Sequence, residues 1–369
     1  MNPPTVMLRS CAALDQIAAS LGCTELELHD GKDFTGMLAL YERMGLMQPY
    51  MLSGLRPPPP TMADNWRKLH EGDSSVAFTL IWRGRHGDAL GAVSGVRAWD
   101  RTWLAQQFGV LPHAEPGTAA ALQIAFLGLV GERADTDHLC FFVTVDNAQM
   151  NAWFERFFRF GDAFELGSRI DLARWAFLPG VRRLAGSARP GLDVTSTVLD
   201  DRRGSVFARS LGSVAAEALT TCPETTSGAF ARLGLERHQR TLVLSDRGCE
   251  AGLVIEEKTS PGLSLSWMLD SWWFLGSNEA GSSNEPALER FMSTISNGSV
   301  PEHGRILLIP SRVSAAPVQA AGFTRVADAR LYTLNKAGIR RYRDELALRY
   351  AEVRSAMKGR RARGARKPA

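Results

Sequence analysis

At 369 residues the chain is longer than one hydrophobic core usually grows, so two domains are expected. Hydrophobic residues make up 45% and charged residues 22%, a globular balance that excludes extended disorder in the body. The net charge of +4 resides in the last twelve residues, where Lys358, Arg360, Arg361, Arg363, Arg366 and Lys367 have no acid among them; without these six the body sits near −2, which argues against nucleic-acid binding.

The longest apolar run, Ala119 to Val130, spans 12 residues and includes Gln123, too short and too polar to cross a bilayer. It reads as a buried helix. The first residues lack the basic-then-apolar order of a secretion signal, so a cytoplasmic location is expected and no membrane partner. Five cysteines, at 11, 23, 140, 222 and 249, form neither a CxxC pair nor a metal-ligand cluster, so reduced thiols and no metal site are expected. Cys140, inside LCFFVTV, is a core residue.

Residues 1 to 30 hold a short helix (ALDQIAASLG) and a strand with alternating polarity (ELELHD). An amphipathic helix, FTGMLALYERMGLM, follows and stops before four consecutive prolines; a second helix lies around Met62 to His70. Strands VAFTLIW, ALGAVSGVRAW and WLAQQFGVLP come next, then the loop HAEPGTA, the apolar helix, strand HLCFFVTV and helix NAQMNAWFERFF. A helix between two β-rich runs joins parallel strands. AFELGSRIDLARWAF reads as a closing hairpin.

After a Gly-, Pro- and Arg-rich linker the order repeats with little identity. Strand DVTSTVLD, helices SVFARSLGSVAAEAL and SGAFARLGL, and strands TLVLSD, EAGLVIEEK and LSLSWMLDSWWFL lead to a Gly/Ser/Asn-rich loop. Helix ALERFMSTIS, strand RILLIP, helix SAAPVQAAGF and strand RVADARLYTL complete the set. The repeat points to a duplicated domain rather than one continuous sheet. A last helix starts at Asn335, an N-cap residue, with Ile339, Tyr342, Leu346, Tyr350, Val353 and Met357 on one stripe. It is expected to dock on its own domain, a homodimer contact being the alternative. The domains expected are 1–178, a linker 179–192, 193–335, the helix 336–357 and a basic disordered tail 358–369.

The element order over residues 24–176 and again 193–335 resembles the GCN5-related N-acetyltransferase (GNAT) superfamily. Two patterns carry the resemblance: PSRVSAAPVQAAGFTRV, with a short helix ending in Gly322-Phe323, and VTVDNAQMNAWFERFFRFGD, with Phe154-Glu155-Arg156 where the family usually has Tyr-Glu-Lys. It implies an α/β (α+β) chain of two consecutive GNAT-like domains, each a mixed, mostly antiparallel sheet flanked by helices, plus the C-terminal amphipathic helix. It also implies acetyl-CoA or another acyl-CoA as cofactor, bound where backbone amides at a helix N-terminus meet the pyrophosphate. The corresponding residues are Gly117, Thr118 and Ala119 in the first half and Gly281, Ser282 and Ser283 in the second. Ala114 and Glu115 depart from the family loop, since its opener is polar and a carboxylate repels phosphate.

The family's general acid, a Tyr on the helix after the fifth strand, has no counterpart: Phe154 and Val318 stand there, and no Tyr occurs between Tyr50 and Tyr332. Asp270 is the candidate catalytic base, one carboxylate on a strand face with Ser264, Ser266, Met268 and Trp272; Glu256 and Glu257 are weaker candidates. Trp267, Trp272 and Trp273 read as core or domain interface, and the seven scattered histidines as surface residues. Two functions compete. One is an acyl-CoA-dependent N-acyltransferase acting on a small-molecule or protein amine, with one half structural. The other is a catalytically silent GNAT-like protein that recognises a phosphate-bearing molecule such as a nucleotide, with Arg182, Arg183, Arg189, Arg202 and Arg203 near the linker as partners.

Overall fold

The computed structural model describes residues 5–47, 60–71, 76–159, 163–177, 192–197, 212–219, 223–246, 249–263, 270–276, 287–289, 291–292, 305–311 and 313–364. The first half contains α1 (Thr5–Leu21), β1 (Leu26–Leu28), α2 (Phe34–Arg43), α3 (Pro60–Glu71), β2 (Ala77–Arg83), β3 (Ala89–Trp99) and β4 (Thr102–Val110). It continues through α4 (Thr118–Gly131), β5 (His138–Thr144), α5 (Ala148–Phe157), α6 (Ala163–Leu166) and β6 (Gly167–Phe177). The second contains β7 (Leu192–Thr197), α7 (Ser213–Leu219), α8 (Pro223–Ala231), β8 (Arg237–Asp246), β9 (Cys249–Thr259) and β10 (Ser271–Gly276). Helical residues 287–289 and 291–292, β11 (Arg305–Pro310), α9 (Ala316–Ala320), β12 (Thr324–Asn335) and α10 (Lys336–Gly364) follow. The element order of the first half thus recurs in the second.

The strands do not form two separate sheets, as the repeat suggested. They join in one 12-stranded sheet of order β1-β2-β3-β4-β5-β12-β6-β11-β10-β9-β8-β7. Adding six to each strand number of the first half gives its counterpart in the second, and the order reads alike from either edge. The last strand of each half is exchanged: β12 lies beside β5, and β6 lies beside β11. Among the described residues only β4–β5 and β10–β11 are parallel.

The centre of the sheet is the long antiparallel pair β6–β12, from Thr324↔Ala176 to Leu334↔Gly167. Gly167 permits this approach, because a Cβ there would lie 2.5 Å from the Thr333 carbonyl oxygen. The segment read as a hairpin is therefore the single strand β6 behind the short α6; its alternating residues answer two flanking strands instead of each other.

Helix α4 is buried on nearly every side, which explains its unbroken apolar sequence. Phe126 packs on Phe78 of β2, Gly128 faces Ile17 of α1, and Gly131 faces Ile339 of α10. Asn335 caps α10 as expected, its side chain accepting from the Gly338 amide at 2.9 Å. Ile339, Tyr342, Leu346 and Tyr350 of the stripe are buried, whereas Val353 is exposed. The helix docks on α4 of the first half, not on the second half from which it springs, and it runs to Gly364, through part of the segment expected to be disordered.

Polar contacts lock the halves. Arg237 and Glu257 form an ion pair with both residues at most 2% exposed. The Trp99 indole donates to Glu257 at 2.9 Å and Arg237 donates to the Ala98 carbonyl at 2.8 Å, so the pair is shared with the first half. Trp273 meets Trp99 edge-on, ring centres 6.4 Å apart, fulfilling the interface reading of that residue. Two histidines contradict the surface reading. His138 is buried, and His70 is held between the Trp66 carbonyl and Thr79 Oγ1, both at 2.9 Å, in a chain through Ser94 to Tyr41. A carbonyl only accepts, so Nδ1 carries the His70 proton, and burial pushes the imidazole's pKa down to about 4.

Candidate functional site: two parting strand pairs

In the first half, β4 and β5 pair from Thr102↔His138 to Ala105↔Phe141 and then part. A register shift against β3 opens at this point, where Ala92 faces Gly109 but Ser94 faces Gln106. Gln107, in the bulge, has φ +49, the sole non-glycine among the described residues with a positive φ. The parting strands and the end of α2 enclose a cavity of about 310 Å³. Met44, Leu46, Phe108 and Met150 give it apolar wall, and Gln107, Asp146 and Arg174 give it polar groups.

The other mouth of this cleft is filled by α10. Tyr342 stacks on Phe154 at 4.9 Å between ring centres, meets Phe157 and Phe141 edge-on, and accepts from Gln123 of α4 at 3.1 Å. Two turns on, Tyr350 covers the start of α4: a Cβ on Gly117 would lie 3.0 Å from its ring, and Gly117 has φ +96. Thr118 is buried behind it, and Glu115 pairs with Arg85. The expected phosphate residues Gly117 and Thr118 thus stand together at the α4 N-terminus with Ala119, beneath Tyr350. A ligand reaching from Gly117 to the Phe154 position would meet Tyr350 and Tyr342 of α10 on its way.

Phe154 is fully buried, with Tyr332 stacked 4.2 Å from its other face. The two phenols beside Phe154 come from β12 and α10. Tyr332 donates to Asn151 Oδ1 at 2.9 Å, and burial raises the pKa of both phenols. Both serve the core.

In the second half, β10 and β11 pair from Ser271↔Ile306 to Trp273↔Leu308 and then part. The apolar cluster above them joins Trp272, Phe274, Leu288, Phe291, Val318 and Phe323 with Trp175 of the exchanged β6. No counterpart of α10 appears there among the described residues. Gly281, Ser282 and Ser283 lie outside the described residues, as do Ser264, Ser266, Trp267 and Met268. Asp270 is half-buried just before β10, at the end where the parallel pairing is intact. Glu256 and Glu257 are engaged with Arg240 and Arg237, and Trp272 donates to Glu256. The linker arginines 182, 183, 189, 202 and 203 lie outside the described residues, and no metal-ligand cluster occurs among the described ones. Nor is any described helix long and apolar enough to cross a membrane.

Sequence reasoning missed Gln107 and Arg174. Its available signal for the first was the pair Gln106-Gln107 breaking an otherwise apolar strand. For Arg174 there was none, and the stripe that held Tyr342 did not say what it packs against, because both depend on which half the exchanged strands join.

No family model matches the sequence, and no curated protein matches it. Solved structures with a similar backbone course include a tandem GNAT protein from the clavulanic acid biosynthesis pathway, 13% identical over 85% of this chain and 99% of that one, TM-score 0.38. A GCN5-related N-acetyltransferase from Sphaerobacter thermophilus is 12% identical over 85% of this chain and 96% of its own, TM-score 0.45. The glucosamine N-acetyltransferase region of a fungal multi-domain GH3 β-N-acetylglucosaminidase is 11% identical, over 84% of this chain and 38% of that one, TM-score 0.41. At such identity the likenesses say nothing about any residue.

Proposed function

We propose that the chain is an acyl-CoA-dependent N-acyltransferase whose second half takes the cofactor while the first half is a closed partner. The observation that carries this reading is the contrast between the clefts: the first groove is filled by α10, and the β10–β11 pair parts with no such helix over it among the described residues. The linker near residues 178–192 remains the proposed domain boundary, and an amine-bearing small molecule or protein the proposed acceptor.

Gly281, Ser282 and Ser283 would offer backbone amides to the pyrophosphate, small side chains letting the chain approach closely. The cofactor supplies an acyl thioester. Asp270 is the group proposed to take the proton from the incoming amine. Val318, fully buried and apolar, cannot return one to the departing thiolate, so water does. General acid catalysis contributes about 10²–10⁴-fold, so turnover is expected to be slow.

Calorimetry with acetyl-CoA should give one site per chain, lost in Gly281→Asp. Turnover across an amine panel should fall strongly in Asp270→Asn while acetyl-CoA affinity holds; full activity in that variant removes Asp270 as base. The missing acid in both halves favours the second reading, a silent binder of phosphate-bearing molecules. Nucleotide binding without turnover on any amine would establish that reading instead.

A further inference from the structure

The basic segment expected to be a disordered tail is helical as far as Gly364, and this changes what its charges can do. We propose that the last turns of α10 bind the sugar–phosphate backbone of double-stranded DNA without regard to sequence. The inference is independent of whether either half transfers an acyl group.

The near part of the helix is fixed to the body. Ile339, Tyr342, Leu346 and Tyr350 are buried, and Arg354 donates to the carbonyls of Leu21 and, at 3.2 Å, Gly22 at the end of α1. Around Arg354 the body falls away: Ala351, Glu352, Val353, Ser355 and Ala356 are exposed. From Ser355 to Gly364 the helix continues for about 15 Å. This stretch carries Lys358, Arg360, Arg361 and Arg363 and no acid, with Arg366 and Lys367 following in sequence. The structure therefore offers a rod of positive charge on a rigid base, where the sequence alone suggested loose chain.

Charge and shape together select the partner. Without these six cations the rest of the chain sits near −2, so the net attraction to phosphate is confined to this segment. At about 100° per residue, positions 358, 360, 361 and 363 are spread around the helix axis rather than along one stripe. A helix lying on a lipid surface needs an apolar face, and Met357 is the one large apolar residue between Ser355 and Gly364, which disfavours a membrane. The major groove of B-DNA, about 12 Å wide, admits an α-helix and has phosphates on both flanks, a setting that suits cations on several sides. The segment has no aromatic residue to stack on an unpaired base, which favours duplex over single strand. Backbone phosphates carry no sequence information, so binding is sequence-independent. Like charges three apart, Lys358 with Arg361 and Arg360 with Arg363, repel along the helix, and phosphates relieve that cost.

The test is fluorescence anisotropy of the full chain with a labelled, mixed-sequence duplex of about twenty base pairs. Saturable binding is expected at 50 mM salt, about a thousandfold weaker at 200 mM salt because six cations meet phosphates, and weaker for either strand alone. Lys358→Gln, Arg360→Gln, Arg361→Gln and Arg363→Gln, combined, preserve helix propensity; they should weaken binding at 50 mM salt at least about a hundredfold and flatten its salt dependence. Gly359→Pro keeps every charge but breaks the helix, and should weaken binding at least about fivefold. Circular dichroism and the urea midpoint establish that the body of each variant is folded. The proposal is overturned if the parent does not bind the duplex at 50 mM salt, if either variant binds it like the parent, or if vesicles of phosphatidylglycerol are bound more tightly than the duplex.

Discussion

The two parallel strand pairs start alike and are finished differently. In the first half β4 and β5 part beneath α10, with Tyr342 wedged against Phe154 and Tyr350 over Gly117. In the second, β10 and β11 part beneath an apolar cluster built from that half's own elements and β6. The difference follows from the strand exchange. Because β12 lies beside β5, the helix that continues it lands on α4, so the end of the chain closes the first half's groove. The segment after β6, its counterpart in order, comprises residues 178–191 and lies outside the described residues. In a duplicated fold the connection after an exchanged strand thus lands on the other half, as α10 does on α4.

The comparison breaks most directly at Tyr342. Tyr342→Ala removes a fully buried ring from between α4 and α5 and should cost about 3–5 kcal/mol, read as a shift in the urea midpoint. Acetyl-CoA affinity should not rise in this variant, since Tyr350 still covers Gly117; a new cofactor site appearing would mean the groove had merely been masked.

Gly117→Ala sharpens the comparison. It places a side chain at φ +96 and 3.0 Å from Tyr350, and should cost about 1–2 kcal/mol of stability while leaving acetyl-CoA affinity unchanged. Loss of cofactor binding in a folded Gly117→Ala protein would place the cofactor in the first half after all.

His70 tests whether the first half is closed on its α2–α3 face as well. Its folded pKa is lowered to about 4 from 6.5, so between those values the unfolded chain takes up a proton that the folded chain refuses. Its contribution is complete above pH 6.5 and is lost as pH falls toward 4, at up to about 1.4 kcal/mol per pH unit. Urea midpoints at pH 7 and pH 5 should show this decline, and His70→Gln should flatten it. His29 and His138, also lowered by burial, leave a residual slope of the same sign.

The smallest effect belongs to the Tyr342 hydroxyl. Tyr342→Phe keeps the stacking on Phe154 and removes the acceptor for Gln123, so about 1 kcal/mol should be lost in the same urea titration. A loss as large as that of the alanine variant would assign the wedge to its hydrogen bond rather than its ring.

Much of the fold was legible along the chain. The apolar run from Ala119 to Val130 is a buried helix, Asn335 caps the helix that follows it, and Cys140 is core, because each depends on the few residues around it. The stripe on the last helix announced that it packs on something. Of the expected site residues, Gly117 stands in a left-handed backbone under Tyr350, a requirement for glycine that depends on a residue far along the chain. The exposed reading failed at His70 because its partner Thr79 is brought to it by β2, beyond the helix that carries both Trp66 and His70.

What the sequence by itself determined is local: the elements, their order, the repetition of that order, and the absence of a tyrosine from either fifth-strand helix. Those properties are written in periodicity and in single residues. Only the tertiary structure decided that β6 and β12 change places, that one sheet runs through both halves, and that α10 fills the first groove. Two similar strands compete for each place beside β5 and β11, and their pattern of alternating residues suits either. The choice rests on contacts between residues more than 150 positions apart, such as Gly167 against Thr333, which no local pattern contains.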